Sequence, residues 1–164
     1  MEASMLDGIK IDLSRLRQRT VDVNQYINSI SPQYKDKFLK RKKAYKLRVD
    51  VVNNLKNLVN NYVLVVFSAE WCKDCAANIP VLALLSEATG LEVRVFGGLK
   101  RDPLNPNKKW SVPPSPPEVE TFHIDKIPHI LIFNINGEKV GEIIENPKEG
   151  LTLEEEIFKV MSKA

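Results

Sequence analysis

Cysteine and histidine are scarce in this chain of 164 residues, which holds two of each. That count excludes a fold stapled by several disulfides. No stretch approaches the roughly 18 consecutive apolar residues of a membrane-spanning helix, so no membrane partner is expected. The opening run Met1-Glu2-Ala3-Ser4-Met5-Leu6-Asp7 carries acids and lacks a long apolar segment. It therefore does not read as a secretory signal, and a cytoplasmic location is expected. No internal repeat is visible. What is present is 43% apolar residues, enough for a real core. The length fits one domain of ordinary size with an N-terminal extension.

The formal net charge of +3 conceals an asymmetry. Residues 1–62 hold 13 Lys+Arg and 6 Asp+Glu, whereas the rest hold 11 and 15. Both cysteines lie just beyond that boundary, in Ala69-Glu70-Trp71-Cys72-Lys73-Asp74-Cys75. The apolar run Tyr62-Val63-Leu64-Val65-Val66-Phe67 before them reads as a buried strand. After them, Ile79, Leu82, Ala83 and Leu85 recur at helical spacing, with Gly90 just past the end. The pair thus sits where a core strand becomes a helix. Free backbone N–H groups and the macrodipole at such a helix start stabilise a thiolate, the reactive form. Two cysteines on a first helical turn can also close a disulfide with little backbone movement. A reversible redox couple or a metal site explains one close pair better than a structural staple does.

Upstream, Leu13, Leu16, Thr20, Val23, Ile27 and Ile30 form one helical stripe over 12–30. Ser31-Pro32 is placed to cap a second helix, with Tyr34, Phe38 and Tyr45 on one side. That segment is crowded by Lys35, Lys37, Lys40, Arg41, Lys42, Lys43, Lys46 and Arg48. Asp50 is placed to cap a third helix burying Val51, Leu55, Leu58 and Val59. Downstream come a strand over 91–96 and a stretch rich in proline (Pro103, Pro106, Pro113, Pro114, Pro116, Pro117), long for a connection inside one domain. Ser115 to Glu118 reads as a capping box opening a short helix. A strand over 130–133, an Asn136-Gly137 hairpin turn, a strand over 139–144 and a last helix capped by Thr152 complete the chain. The expected class is α/β: a mixed sheet with helices on both faces, preceded by a helical extension. The division is 1–61 for the extension and 62–164 for the sheet domain.

These features together resemble the thioredoxin fold family over about residues 60–164. The Trp71-Cys72-x-x-Cys75 segment resembles the family's active site. Pro80 matches the proline that kinks the active-site helix, and Ile127-Pro128 matches the cis-proline loop. Asp74, where thioredoxin usually has proline, is similar to a less characterised bacterial and archaeal subgroup with a Trp-Cys-x-Asp pattern; Arg101-Asp102 and the extension fit there too. Val66 stands where thioredoxin has a buried aspartate, and the connection from Leu99 to Lys126 is longer.

The resemblance implies a thiol–disulfide oxidoreductase. Cys72 would be the nucleophile and Cys75 the resolving thiol, exchanging with protein disulfides and recharged by an upstream reductase. Trp71, Ile127 and Pro128 would shape the substrate site, the backbone beside a cis Pro128 offering a pairing edge to an extended substrate. Lys73 should favour the Cys72 thiolate and Asp74 oppose it. No bound cofactor and no metal are needed. Two alternatives stand beside this. One is a zinc site using Cys72, Cys75 and His123 or His129, although 47 residues separate Cys75 from His123. The other is a non-catalytic adaptor of the same fold using its basic helices. Nucleic acid is not the expected partner, because the aromatics among those helices fall at core spacing.

Overall fold

The computed structural model describes residues 10–101, 104, 110 and 115–164. Met1 to Asp7, Asp102, Pro103, Pro106, Pro113 and Pro114 lie outside the described residues. The elements are α1 (Leu13–Arg19), β1 (Val21–Asp22), α2 (Val23–Ser29), α3 (Pro32–Ala44), α4 (Val49–Leu55), β2 (Tyr62–Phe67), α5 (Lys73–Thr89), β3 (Glu92–Phe96), α6 (Glu118–Thr121), β4 (His129–Asn134), β5 (Lys139–Ile144) and α7 (Leu153–Lys163).

Among the described residues the strands form one mixed sheet in the order β1-β3-β2-β4-β5. Strand β2 runs parallel to β3 and antiparallel to β4. Strands β2 and β4 are almost wholly buried, which requires cover on both faces. On one face Phe67 stacks on Phe96 at 4.6 Å, and Phe122, just past α6, tilts against Phe67 at 5.8 Å. The order of elements from Val63 onward agrees with the sequence reading.

The stripe over 12–30 is not one helix. Helix α1 stops at Arg19, because Arg94 of β3 donates to the carbonyls of Arg17 and Thr20 and so takes over acceptors that a continuing helix would use. Val21 and Asp22 then pair antiparallel with Val95 and Arg94, and the Asp22 carboxylate accepts from Asn24 N to start α2. The spacing survives the break because Leu16, Val23, Ile27 and Ile30 are all buried. Four α-helices therefore precede β2, rather than three, and the extension supplies an edge strand to the sheet.

Three caps also differ from expectation. Ser31 occupies the N-cap of α3, but its hydroxyl and its N–H go to the Glu70 carboxylate. Asp50 lies within the first turn of α4, bonded to Arg48, which itself holds the N-cap position. Pro117 is the N-cap of α6, while the Ser115 hydroxyl accepts from Lys100 N. In the first and third cases a partner distant in sequence outcompetes the local backbone. Thr152 does form a reciprocal capping box with Glu155. In the β4–β5 turn Gly137 has φ +85°, and a Cβ there would sit 2.2 Å from Ile11 O.

One hydrophobic core runs from Leu16 to Met161, across the 61/62 position where the sequence suggests a division. Helix α3 packs along α5, and Phe38 is fully buried against Tyr26. Glu154, at the start of α7, accepts from Tyr45 OH at 2.6 Å and Arg48 N at 2.9 Å. The basic run is largely occupied within the fold. Lys42 pairs with Glu87, Lys40 with Asp36 and Arg48 with Asp50, while Arg41 donates to Ala77 O and Lys35 to Asn28 O.

Candidate functional site

The cysteines sit where β2 hands over to α5, as the apolar run followed by helical spacing predicts. Cys72 is the N-cap of α5, and its sulfur accepts from Cys75 N at 3.2 Å. Pro80 lies inside α5, where it cannot donate to the carbonyl one turn back. Asn78, also buried, fastens this turn by donating to Asp74 O and Asn146 Oδ1.

Both thiols are free, but their environments differ. Cys72 is 8% exposed and Cys75 not at all. The Cys72 thiol is held below its ordinary value of 9.0. The largest cause is a hydrogen bond from Cys75; burial opposes it, and the backbone N–H groups of Cys75 and Asp74 add to it. The Asp74 carboxylate opposes ionisation, while the N–H of the same residue favours it. Lys73 is exposed at the first position of α5. Burial drives the Cys75 thiol far up, and the neighbouring Cys72 sulfur adds to this. One thiol is thus poised to ionise at the surface while the other keeps its proton below. Alkylation by iodoacetamide is expected to label Cys72 alone in the folded protein, with a rate midpoint below pH 9.0; labelling of Cys75 should await denaturation. Mass mapping checks this, and equal labelling of both thiols would contradict it.

The other expected site residues surround Cys72. The Ile127–Pro128 peptide is cis, and the Cys72 thiol donates to Ile127 O at 3.7 Å. Trp71 is 44% exposed, with its indole N–H on Leu99 O at 3.2 Å. Its ring stacks at 5.7 Å on Trp110, which is buried and donates to Asp125 O. Trp110 therefore anchors this rim beside Cys72. The sequence reading passed over it, although a lone large aromatic within a proline-rich stretch is a signal for such an anchor. Tyr26, whose hydroxyl lies 3.0 Å from Ser68 Oγ, and Glu70, which accepts from Ser31, carry no motif either. Tyr26 falls three residues after Val23 on the buried side of α2, so the helical spacing could have revealed it.

The histidines are not gathered with the cysteines. His129 is buried in β4 with its ring on Glu142 at 2.7 Å. Burial lowers its pKa, against the pull of that carboxylate. His123 is exposed. Among the described residues no three His, Cys, Asp or Glu side chains converge as a metal site would need.

A sequence profile of the thioredoxin family matches residues 20–105, just over half of the chain and reaching back to the residue before β1. The Thiol:disulfide interchange protein TxlA homolog of Synechocystis sp. is 37% identical over 81 residues, 49% of this chain. The chain spans only 39% of that relative's length. Among solved structures, an HIV epitope-scaffold superposes with a TM-score of 0.69 at 14% identity, over 94% of this chain and 99% of its own. A protein of unknown function from Pseudomonas aeruginosa gives a TM-score of 0.63 at 16% identity, over 84% of this chain and 79% of its own. These two likenesses concern fold alone. At 94% coverage the shared fold takes in the helices before β2.

Proposed function

Since the chain belongs to the thioredoxin superfamily, we propose that it is a thiol–disulfide oxidoreductase working through Cys72 and Cys75. The observation that carries this reading is the asymmetry of the two thiols. Cys72, on the helix start and slightly exposed, is held toward its thiolate, while Cys75 is sealed beneath it. The relation to a thiol:disulfide interchange protein supports the same chemistry.

In the reducing direction the Cys72 thiolate attacks one sulfur of a substrate disulfide. A Cys72–substrate bond forms, the substrate S–S bond breaks, and its second sulfur leaves as a thiolate that takes up a proton. Cys75 then loses its proton and attacks Cys72 Sγ. The Cys72–Cys75 disulfide forms and the other substrate thiolate departs. Two electrons pass to the substrate, and an upstream dithiol reductase returns them. We assign substrate positioning to Ile127, Pro128 and Trp71, which surround Cys72. An extended substrate segment would pair with the backbone at Ile127.

The test is a redox titration of the purified protein, counting free thiols by alkylation and mass in graded dithiol/disulfide buffers, with metal content measured on the same sample. A single reversible two-electron step without metal supports the reading. A midpoint near about −270 mV would assign a reductase, and one near about −120 mV an oxidant. Thiols that never pair, or that pair only after a chelator removes stoichiometric zinc, would overturn it.

A further inference from the structure

A cavity of about 440 Å³ opens beside the reactive sulfur, and the exchange chemistry above gives it no role. Its lining includes Lys126 and His129. These flank the Ile127–Pro128 peptide, whose Ile127 carbonyl meets the Cys72 thiol at 3.7 Å. A substrate segment paired at Ile127 therefore runs past the mouth of the cavity. Ile144, 44% exposed, forms an apolar wall. The His129 ring is already engaged by Glu142. Asp125, Lys126 and Glu145 then set the charge of the lining, two carboxylates against one ammonium.

Glu145 is held at this wall against its backbone preference. Its φ of +65° lies in the left-handed region, which glycine takes freely and glutamate does not. Its N–H donates to Pro128 O at 2.7 Å, and its carbonyl accepts from the Asn78 side chain of α5 at 3.1 Å. Those bonds tie the position to the Pro128 loop and to the cysteine helix, and glycine would make both equally well. What glutamate adds is a carboxylate that lines the cavity and meets Lys126 Nζ loosely, at 3.8 Å. Among the described residues three non-glycine residues take positive φ, and all three lie at this site. His123 lines the cavity with Glu145, and Trp110 stacks on Trp71. Backbone strain of this kind collects where ligands are held.

We propose that Glu145 is a specificity-determining residue, and that the cavity receives a lysine or arginine side chain lying close to the reacting cysteine of the substrate disulfide. This deepens the dithiol reading above and rests on it. The aliphatic stem of such a side chain would lie along Ile144, and its cationic head would reach the Glu145 carboxylate. Lys126, whose side chain is 61% exposed, would turn out to solvent as the substrate cation replaces it. An acidic side chain at the same place would meet Asp125 and Glu145 and be repelled. An apolar one would gain the Ile144 contact and leave the carboxylates unanswered. The bonds made and broken at sulfur are those already described. The cavity acts on how well a given substrate is held while Cys72 attacks it.

The experiment mixes the full chain, reduced beforehand, with synthetic peptide disulfides that differ at one residue near the cysteine. That residue is lysine, norleucine or glutamate, placed at each flanking position in turn. Acid quench and mass spectrometry give the second-order rate constant for each peptide. At the position that faces the cavity, the lysine peptide is expected to react roughly fivefold faster than the norleucine peptide at low salt. The glutamate peptide should be the slowest, and added salt should narrow the spread. Glu145→Gln should bring the lysine-to-norleucine ratio close to one, and Glu145→Lys should favour the glutamate peptide. A lysine advantage that survives undiminished in Glu145→Gln would overturn the proposal. So would a wild-type preference for the glutamate peptide, which would assign the cavity to Lys126. If Glu145→Gln does not fold, Glu145→Gly, which suits the backbone there, decides on the same ratio. Equal rates for all three peptides at every position would remove this proposal and leave the dithiol reading standing. A reduced wild type that reacts with none of them would remove the dithiol reading, and this proposal with it.

Discussion

Cys72→Ser is expected to reduce disulfide turnover by about 10³-fold or more, to the uncatalysed background. Cys75→Ser should behave quite differently. It keeps Cys72 at the helix start with the backbone N–H of residue 75 on its sulfur. A serine hydroxyl at residue 75 can still donate to that sulfur, as the thiol does. The first attack should therefore proceed, and the product should stop as a stoichiometric mixed disulfide, visible as the mass of one bound substrate. The contrast between the two variants carries the meaning, because both remove one thiol and disrupt packing about equally. An uninvolved pair, or one holding metal, would give two similar phenotypes. Turnover retained in Cys72→Ser would sink the mechanism outright.

Phe38→Ala should destabilise the whole chain by about 3–5 kcal/mol and leave a single unfolding transition. Phe38 lies on α3, well before β2, yet it is fully buried against Tyr26. Helix α3 packs on α5, the helix that presents Cys72 and Cys75. Losing the ring opens a cavity between the N-terminal helices and the sheet domain, whose cost falls on both. Chemical denaturation followed by far-UV circular dichroism, with limited proteolysis mapping of the segment after residue 62, checks this. If residues 62–164 were autonomous, the variant would lose helical signal early while that segment stayed resistant to its wild-type midpoint. Coincident loss is the outcome a shared core requires.

The residues that carry local chemistry were the readable ones. A strand of unbroken apolar residues, a helix start holding two cysteines, an Asn-Gly turn and a Thr152–Glu155 box each depend on neighbours within a few positions, so the sequence displays them directly. The unread features depend on partners far along the chain. Arg94 ends α1 by donating to the Arg17 carbonyl from 77 residues along the chain, and no periodicity announces that. Ser31 and Ser115 look like caps in the sequence because serine caps helices, yet each hydroxyl finds a tertiary partner. The division at residue 61 follows the reach of the resemblance, the start of the strand and the charge asymmetry that coincides with it, and one cluster of buried residues has members on both sides of it. At the site, Cys72, Cys75, Trp71, Ile127 and Pro128 could be named from motifs. Helical spacing marks Tyr26 as buried, but its pairing with Ser68 is not legible, because that hydroxyl pair forms only when α2 is laid beside the end of β2.

The chain has only two tryptophans, and they are stacked on one another beside its only two cysteines. Its intrinsic indole emission therefore originates entirely at the rim of the pair, with Trp71 half in solvent and Trp110 beneath it. The protein carries its own optical label, and substrate docking or disulfide closure can be watched there in real time without attaching a dye.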